Sequence, residues 1–189
     1  MKSFLNYLLI VLCCFMFQTR GSAQSKSDSI STTWVKYLIV NDSNQLLLRY
    51  DNAYKAWELE GVGYEGPITF KSLTDSMAAY LGFTYDSLRL GGLFTYQKPN
   101  RYRVTVKPFY VLHFSGYTNG KCFADTARTK WFSLTEAKQL IPFPTMVLVI
   151  DQLLKYPKTF WGAAFEEYNY TDLKAVKWRV IEPFYRLAN

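Results

Sequence analysis

Apolar and polar positions alternate along much of this chain in the way that is typical of β-strands. The clearest alternation covers residues 102–114, where Tyr102, Val104 and Val106 fall on one side and basic residues on the other. Gly91-Gly92 predicts a bulge, and Pro108 predicts a bulge or a sheet edge. The predicted strands are residues 34–40, 45–50, 56–59, 88–96, 102–114 and 130–134.

A helical pattern replaces the strand pattern between residues 67 and 81. Apolar side chains recur there at spacings of three, four and four, at Phe70, Leu73, Met77 and Leu81. Pro67 is suited to the first turn of a helix, and Gly82 to the left-handed residue that ends one. The spacing therefore predicts one amphipathic helix over residues 67–81.

The second half of the chain predicts two more helices and a packed C-terminal segment. Ser133 with Glu136 three residues later forms a capping-box signature, and residues 145–156 are a long apolar stretch. Residues 157–189 are rich in Phe, Trp and Tyr, too hydrophobic for a free tail. We expect this extension to pack on the domain as one or two helices or a strand, and its aromatic residues suggest a protein partner as one alternative.

Strands and helices are intermixed without a regular β-α-β repeat. This order predicts the α/β class, with a sandwich built around a mixed sheet. The length of 189 residues allows one ordinary domain with terminal extensions.

The first 23 residues predict a signal peptide. Lys2 precedes an apolar stretch at residues 4–17, and Gly21-Ser22-Ala23 supplies small residues for cleavage before Gln24. The apolar stretch is too short to cross a bilayer as a helix, so we expect no stable membrane anchor after cleavage. Residues 24–33 form a polar linker, and the protein is expected to be periplasmic or secreted.

The charge distribution argues against nucleic-acid binding, and the single histidine and single remaining cysteine argue against catalysis by either residue type. The full chain carries a net charge of +7, and removal of residues 1–23 leaves 20 basic and 15 acidic residues, or +5. The basic residues are spread along the chain, which favours anionic ligands over nucleic acid. Cys122 is the one cysteine outside the signal, and His113, the single histidine, is interpreted as a half-buried strand residue.

The order of elements and five short sequences together resemble a Nudix hydrolase domain. These sequences are residues 37–40, 46–49, 57–61, Gly66 before a helix, and 81–83. The Nudix box, the sequence motif of this family, fits the 23 residues from Gly61 to Phe83 without a gap. The residues that match it are Gly61, Gly66, Met77, Gly82 and Phe83. The resemblance implies a Nudix-like α/β/α sandwich around a mixed sheet over residues 34–156, with residues 157–189 as a C-terminal extension.

The resemblance also implies a magnesium site, which this sequence does not preserve. In active members the box helix supplies carboxylates that bind divalent metal ions, and the metal activates a water molecule for attack on a diphosphate. The corresponding positions here are Pro67, Asp75-Ser76 and Ala79-Tyr80, none of which is a glutamate. A one-residue shift of the alignment leaves the helix positions unchanged.

Two functions follow as alternatives. The first is a non-catalytic binding or interaction module without a cofactor, for a nucleotide-like or other anionic small molecule. The second is a diphosphate hydrolase whose magnesium is held by relocated carboxylates, Glu60, Glu65 or Asp75, with Glu58 nearby. Under the first, the predicted ligand-binding residues are Arg49, Trp57 and Arg103. A wider set of candidates, for which a solvated face or structural aromatics are the alternative interpretation, comprises Lys55, Arg101, Lys107, Tyr50, Tyr54, Tyr64 and Tyr96.

Overall fold

The computed structural model describes residues 32–99, 104–118, 127–168 and 172–188. Nine strands form a single mixed sheet in this part of the chain. They are β1 (Thr32–Val40), β2 (Gln45–Asp51), β3 (Ala56–Leu59), β4 (Gly61–Gly63), β5 (Phe83–Gln97), β6 (Val104–Tyr117), β7 (Thr129–Ser133), β8 (Phe160–Tyr168) and β9 (Lys177–Ala188). The helices are α1 (Phe70–Leu81), α2 (Leu134–Leu140) and α3 (Pro144–Lys155), with a 3₁₀ turn at Leu173–Ala175.

The sheet order is β3-β2-β1-β6-β5-β8-β9, with β4 paired to β1 and β7 paired to β2. The β1–β6 and β5–β8 pairs are parallel, and the other pairs are antiparallel. The prediction of a mixed sheet is confirmed. Among the described helices, none is long and apolar enough to cross a membrane.

Two hydrophobic clusters lie on opposite faces of the sheet and make it the middle of three layers. Because successive strand residues point to opposite faces, β1 sends Leu38 to one cluster and Tyr37 and Ile39 to the other. Helices α2 and α3 cover the Leu38 face, where Val149 and other helix residues join the cluster. Helix α1 covers the opposite face. The predicted α/β/α sandwich is therefore confirmed.

Helix α1 begins three residues later than the sequence suggested. The Thr69 side chain accepts a hydrogen bond from the Ser72 backbone N–H, which caps the helix and fixes its start at Phe70. At the other end Gly82 adopts a left-handed conformation with φ of 79°. The predicted C-terminus is thus confirmed, while Pro67 lies in the loop before the cap.

The predicted capping box before α2 is present. Glu136 donates its backbone N–H to the Ser133 hydroxyl, and its carboxylate accepts from the Ser133 backbone N–H at 3.0 Å. The bulge predicted at Gly91-Gly92 also appears, as a register shift between Leu90 and Gly92. Pro108 does not mark an edge, because β6 lies between β1 and β5 inside the sheet.

The C-terminal segment forms two strands where one or two helices or a single strand were expected. Strand β8 pairs in parallel with β5, and β9 pairs antiparallel with β8 at the end of the sheet. The β8 side chains Trp161, Ala163 and Phe165 belong to the core on the α3 side. Nearly all of β9 is exposed. The described part of this segment thus continues the sheet that the first half of the chain begins.

Candidate functional site

A cavity of about 280 Å³ lies beside the core on the α2–α3 face of the sheet. Its position follows from the two-residue repeat of the strands, since side chains two positions from a core residue share its face. Lys36 is two residues before core Leu38, and Lys107 is two residues before core Phe109. The side chains that define the cavity include Trp34, Lys36, Tyr54, Tyr96, Lys107 and Glu167.

Lys36 is a buried cation in the floor of this cavity. Only 4% of the residue is exposed. Its ammonium donates to Glu58 Oε2 at 2.8 Å and to the Leu59 carbonyl at 3.1 Å. A buried ammonium needs such partners because it has lost its water. The pair therefore fixes β3 against β1 at the cavity.

Lys107 places a second ammonium in the same cavity, 3.7 Å from the centre of the Tyr96 ring. Desolvation by burial lowers the pKa of Lys107 from 10.5 to about 8, although the nearby Glu167 carboxylate opposes this shift. The ammonium is thus mostly charged at neutral pH. It forms no ion pair with the carboxylates that the structure describes.

The carboxylates of this cavity are largely occupied by other donors. Glu58 is bound by Lys36, and the buried Glu167 accepts a hydrogen bond from the Thr145 hydroxyl on α3. Asp51 Oδ1 accepts from the backbone N–H groups of Ala53 (2.6 Å) and Tyr54 (3.1 Å) in the turn after β2. Of Lys36 and Lys107, Lys107 is therefore the one whose ammonium is left to meet a ligand.

The low pKa of Lys107 predicts that stability rises with pH between about pH 8 and pH 10. In that window the unfolded chain still holds the Lys107 proton and the folded chain has released it, so the unfolded state binds more protons. Above about pH 10 the trend should reverse, because burial raises the pKa of Tyr37 to about 12. Urea unfolding across this range measures the effect. The Lys107→Met variant should lose the rise, and an unchanged rise in that variant would refute this assignment.

A second cavity, of about 290 Å³, adjoins the first and shares Trp34, Asp51 and Glu58 with it. Here Arg49 on β2 donates from Nη1 to Glu60 Oε1 at 3.0 Å. The Glu60 carboxylate raises the pKa of the Arg49 guanidinium. A Cβ placed on Gly61 would lie 2.8 Å from Trp34 Nε1, so this ring packs directly on the first glycine of the predicted box.

Apart from Pro67, which lies in the loop before the helix, the positions that would carry the metal carboxylates lie on the exposed side of α1. Ser76, Ala79 and Tyr80 are exposed there. Asp75 is also exposed, and it accepts hydrogen bonds from Lys71 at 2.7 Å and from the Tyr85 hydroxyl at 2.5 Å. Among residues 32–99, 104–118, 127–168 and 172–188, no three His, Cys, Asp or Glu side chains form a group that could hold a metal ion.

The candidate relocated carboxylates do not form one site. Glu60 is buried beside Arg49, Glu65 is exposed in the loop before α1, and Asp75 is bound by Lys71 and Tyr85. Magnesium prefers several hard oxygen ligands in octahedral geometry. The residues present here do not fit that ion.

The predicted ligand-binding residues have different surroundings. Arg49 lines the second cavity. Trp57 lines neither cavity, and its ring packs edge-on against Tyr50 and Phe132, at 5.5 Å and 5.0 Å between ring centres. Arg103 lies outside the described residues, as do Arg101 and Cys122. Ligand binding by Arg49, Trp57 and Arg103 stays a prediction.

Three members of the wider candidate set, Tyr54, Tyr96 and Lys107, line the first cavity. The sequence interpretation missed Trp34, Lys36 and Glu167. Lys36 interrupts an apolar strand, and Glu167 follows one in the C-terminal segment. A charged residue on the inward face of a buried strand requires a partner, and that signal could have identified both.

His113 is a half-buried residue of β6, as predicted. Its Nδ1 lies 3.0 Å from Asp86 and its Nε2 lies 3.2 Å from Asp42. These carboxylates hold the histidine between the turn after β1 and strand β5. The ring lines neither of the two cavities.

The mixed sheet between one helix on one face and two on the other is the Nudix fold, and solved structures bear this out. A mutator MutT protein from Bacillus halodurans aligns with a TM-score of 0.60 at 12% identity, over 80% of this chain and 99% of that chain. A Nudix hydrolase from Nitrosomonas europaea gives 0.51 at 13% identity, over 67% and 90%. The Nudix domain of Shewanella oneidensis NrtR, solved with ADP-ribose, gives 0.54 at 12%, over 72% and 95%.

These likenesses concern the fold, because the sequence identities are low. No protein-family model and no curated protein sequence matches the chain. The fold alone does not define the function of this chain.

Proposed function

We propose that this chain is an exported Nudix-fold binding protein that holds a nucleotide-like anionic molecule in the two adjoining cavities and does not hydrolyse it. The observation that carries the proposal is the ammonium of Lys107, which lies in an aromatic-walled cavity without an ion pair to the described carboxylates. A phosphate or carboxylate of the ligand would supply the missing charge partner.

The walls of the first cavity suit the rest of such a ligand. Trp34, Tyr54 and Tyr96 provide aromatic surface, and Phe143 packs edge-on against Tyr54 with 5.6 Å between ring centres. Aromatic faces stack on bases and sugars, and this stacking does not depend on specific hydrogen bonds to the ligand. The combination of apolar walls and a few charged groups is typical of small-molecule sites.

The proposal of binding without hydrolysis rests on the box helix. Ala79 and Tyr80 cannot replace carboxylates as magnesium ligands, and Asp75 is engaged by Lys71 and Tyr85. The alternative, a hydrolase with relocated ligands, would need Glu60, Glu65 and Asp75 to converge. The described positions of these side chains favour the binding protein.

Export is part of the proposal and is supported by residues 1–23 alone. A basic start, a short apolar stretch and small residues before Gln24 are the features of a cleaved signal. N-terminal sequencing of the protein from the periplasm or the medium should give Gln24 as the first residue. Recovery of the uncleaved chain from the cytoplasm alone would contradict export.

Titration of the purified protein with ADP-ribose tests the binding site. This probe is chosen because the NrtR Nudix domain was solved with ADP-ribose. We expect binding that weakens about tenfold or more in Lys107→Met, since one charge-assisted contact is worth about 1.5–3 kcal/mol. The matched control is Lys158→Met, which removes an exposed lysine that lines neither cavity. Equal affinity of both variants and the native protein would contradict the assignment of Lys107.

A further inference from the structure

The Glu60 carboxylate has an oxygen whose hydrogen-bonding capacity is not used within the described part of the chain. The residue is only 6% exposed. Oε1 accepts from Arg49 Nη1 at 3.0 Å and from the Gly61 backbone N–H at 3.2 Å. Oε2 is buried and has no partner among the described residues. A buried carboxylate oxygen without a donor destabilises the protein, so its presence points to a ligand that donates to it.

The Arg49 guanidinium supplies donors next to this acceptor. It carries five N–H groups, and the bond to Glu60 uses Nη1. Of the Arg49 side chain 43% is exposed, whereas only 7% of the Glu60 side chain is exposed. Both residues line the second cavity, so an acceptor and a set of donors lie side by side at its wall.

A metal ion does not fit this pair. Arg49 already brings a positive charge to Glu60, and the other carboxylates of this cavity are Glu58, which is bound by Lys36, and Asp51, which is bound by turn N–H groups. A fully anionic group does not fit either, because it would meet the buried Glu60 oxygen. The ligand group must be neutral, with a hydrogen to donate and an oxygen to accept.

Two neighbouring hydroxyl groups meet both requirements. One hydroxyl donates to Glu60 Oε2, and the oxygen of the other accepts from Arg49. Carboxylates at dinucleotide sites recognise ribose hydroxyls by the same hydrogen bond. The Trp34 ring, which lines both cavities and packs on Gly61, offers an apolar surface for the carbon face of the sugar.

We propose that Arg49 and Glu60 form a subsite for the vicinal diol of a ribose or similar sugar. This inference rests on the proposed function, since the same ligand would place its anionic group beside Lys107 in the adjoining cavity. The diol subsite would then determine which anionic molecules are accepted.

A comparison of ADP with 2′,3′-dideoxy-ADP tests the subsite in the native protein. We expect ADP to bind about tenfold or more tightly, because a site built to hydrogen-bond a hydroxyl rejects the analogue that lacks it. Equal binding of the two nucleotides would overturn the diol subsite and leave the proposed anion site standing. Failure of both nucleotides to bind at millimolar concentration would overturn the inference together with the proposed function.

The Glu60→Gln variant tests whether the preference for ADP over dideoxy-ADP depends on this carboxylate. It should bind ADP and dideoxy-ADP with similar affinity, and its affinity for dideoxy-ADP should match that of the native protein. Asp75→Asn is the matched control, because it removes an exposed carboxylate on α1 and should retain the preference. Retention of the full preference in a folded Glu60→Gln protein would also overturn the assignment. If that variant does not fold, the comparison of the two nucleotides in the native protein still decides.

Discussion

Replacement of Lys36 by methionine is expected to lower the free energy of unfolding by about 3 kcal/mol. The residue is 4% exposed and its ammonium is bound to Glu58 and to the Leu59 carbonyl. The Lys36 side chain packs on Gly61, where an added Cβ would lie 2.7 Å from Lys36 Cδ, and methionine keeps most of that side-chain volume. The cost comes from Glu58, whose carboxylate is 16% exposed and would lose its charged partner.

A double-mutant cycle separates this effect from general damage. The double variant Lys36→Met/Glu58→Gln should recover about 2 kcal/mol of the loss, because no unpaired charge remains. Lys71→Met is the control, since Lys71 pairs with Asp75 on the exposed side of α1 and should cost less than about 1 kcal/mol. Urea unfolding measures the native protein, Lys36→Met, Glu58→Gln, the double variant and the Lys71→Met control. A Lys36→Met loss as small as that of Lys71→Met would show that the pair does not hold the cavity floor.

Replacement of Phe109 by alanine should cost about 4 kcal/mol. Phe109 lies in the middle of β6 with no exposed surface, and its ring meets Phe94 edge-on at 5.3 Å between centres. Removal of the ring leaves a cavity between the sheet and α3 that the interior strands cannot close. Chemical unfolding gives the value directly.

Leu93→Ala is the matched control for Phe109→Ala. Leu93 lies on the neighbouring strand β5 and is 38% exposed, so its loss should cost less than about 1 kcal/mol. If both substitutions cost the same, the core does not lie where the two hydrophobic clusters place it.

The sequence predicted the first half of the fold well because its signals are local. Strand β3 has the predicted bounds, and α1 ends at Leu81, directly before the left-handed Gly82. Pro67 predicts a helix start at that residue, because proline favours a first turn. The Thr69 cap, which depends on one side-chain hydrogen bond to Ser72, determines the actual start.

The C-terminal strands could not be predicted from local sequence, since their pairing is non-local. Strand β8 forms because β5, more than sixty residues earlier in the chain, offers a free edge. Short apolar stretches are compatible with a helix or a buried strand until the partner is known. Sequence periodicity therefore indicated that this segment is packed, and tertiary pairing decided its conformation.

One part of the candidate site could be predicted from the sequence and another part could not. The absence of glutamates from the box positions is evident from the sequence, because it needs only an alignment to Gly61–Phe83. The cavity combines Lys36 and Lys107 from the parallel β1–β6 pair with Glu167 from β8. The placement of these side chains around one cavity depends on strand order and register, which no local sequence pattern specifies.

The proposed function requires a chain that keeps the Nudix fold as a binding scaffold without the metal chemistry of a Nudix hydrolase. The most direct test incubates the purified protein with ADP-ribose in Mg²⁺ and in EDTA, and then measures both the affinity and the amount of intact ligand. We predict the same dissociation constant in both conditions and complete recovery of ADP-ribose. Cleavage to AMP and ribose 5-phosphate in Mg²⁺, abolished by EDTA, would contradict this account.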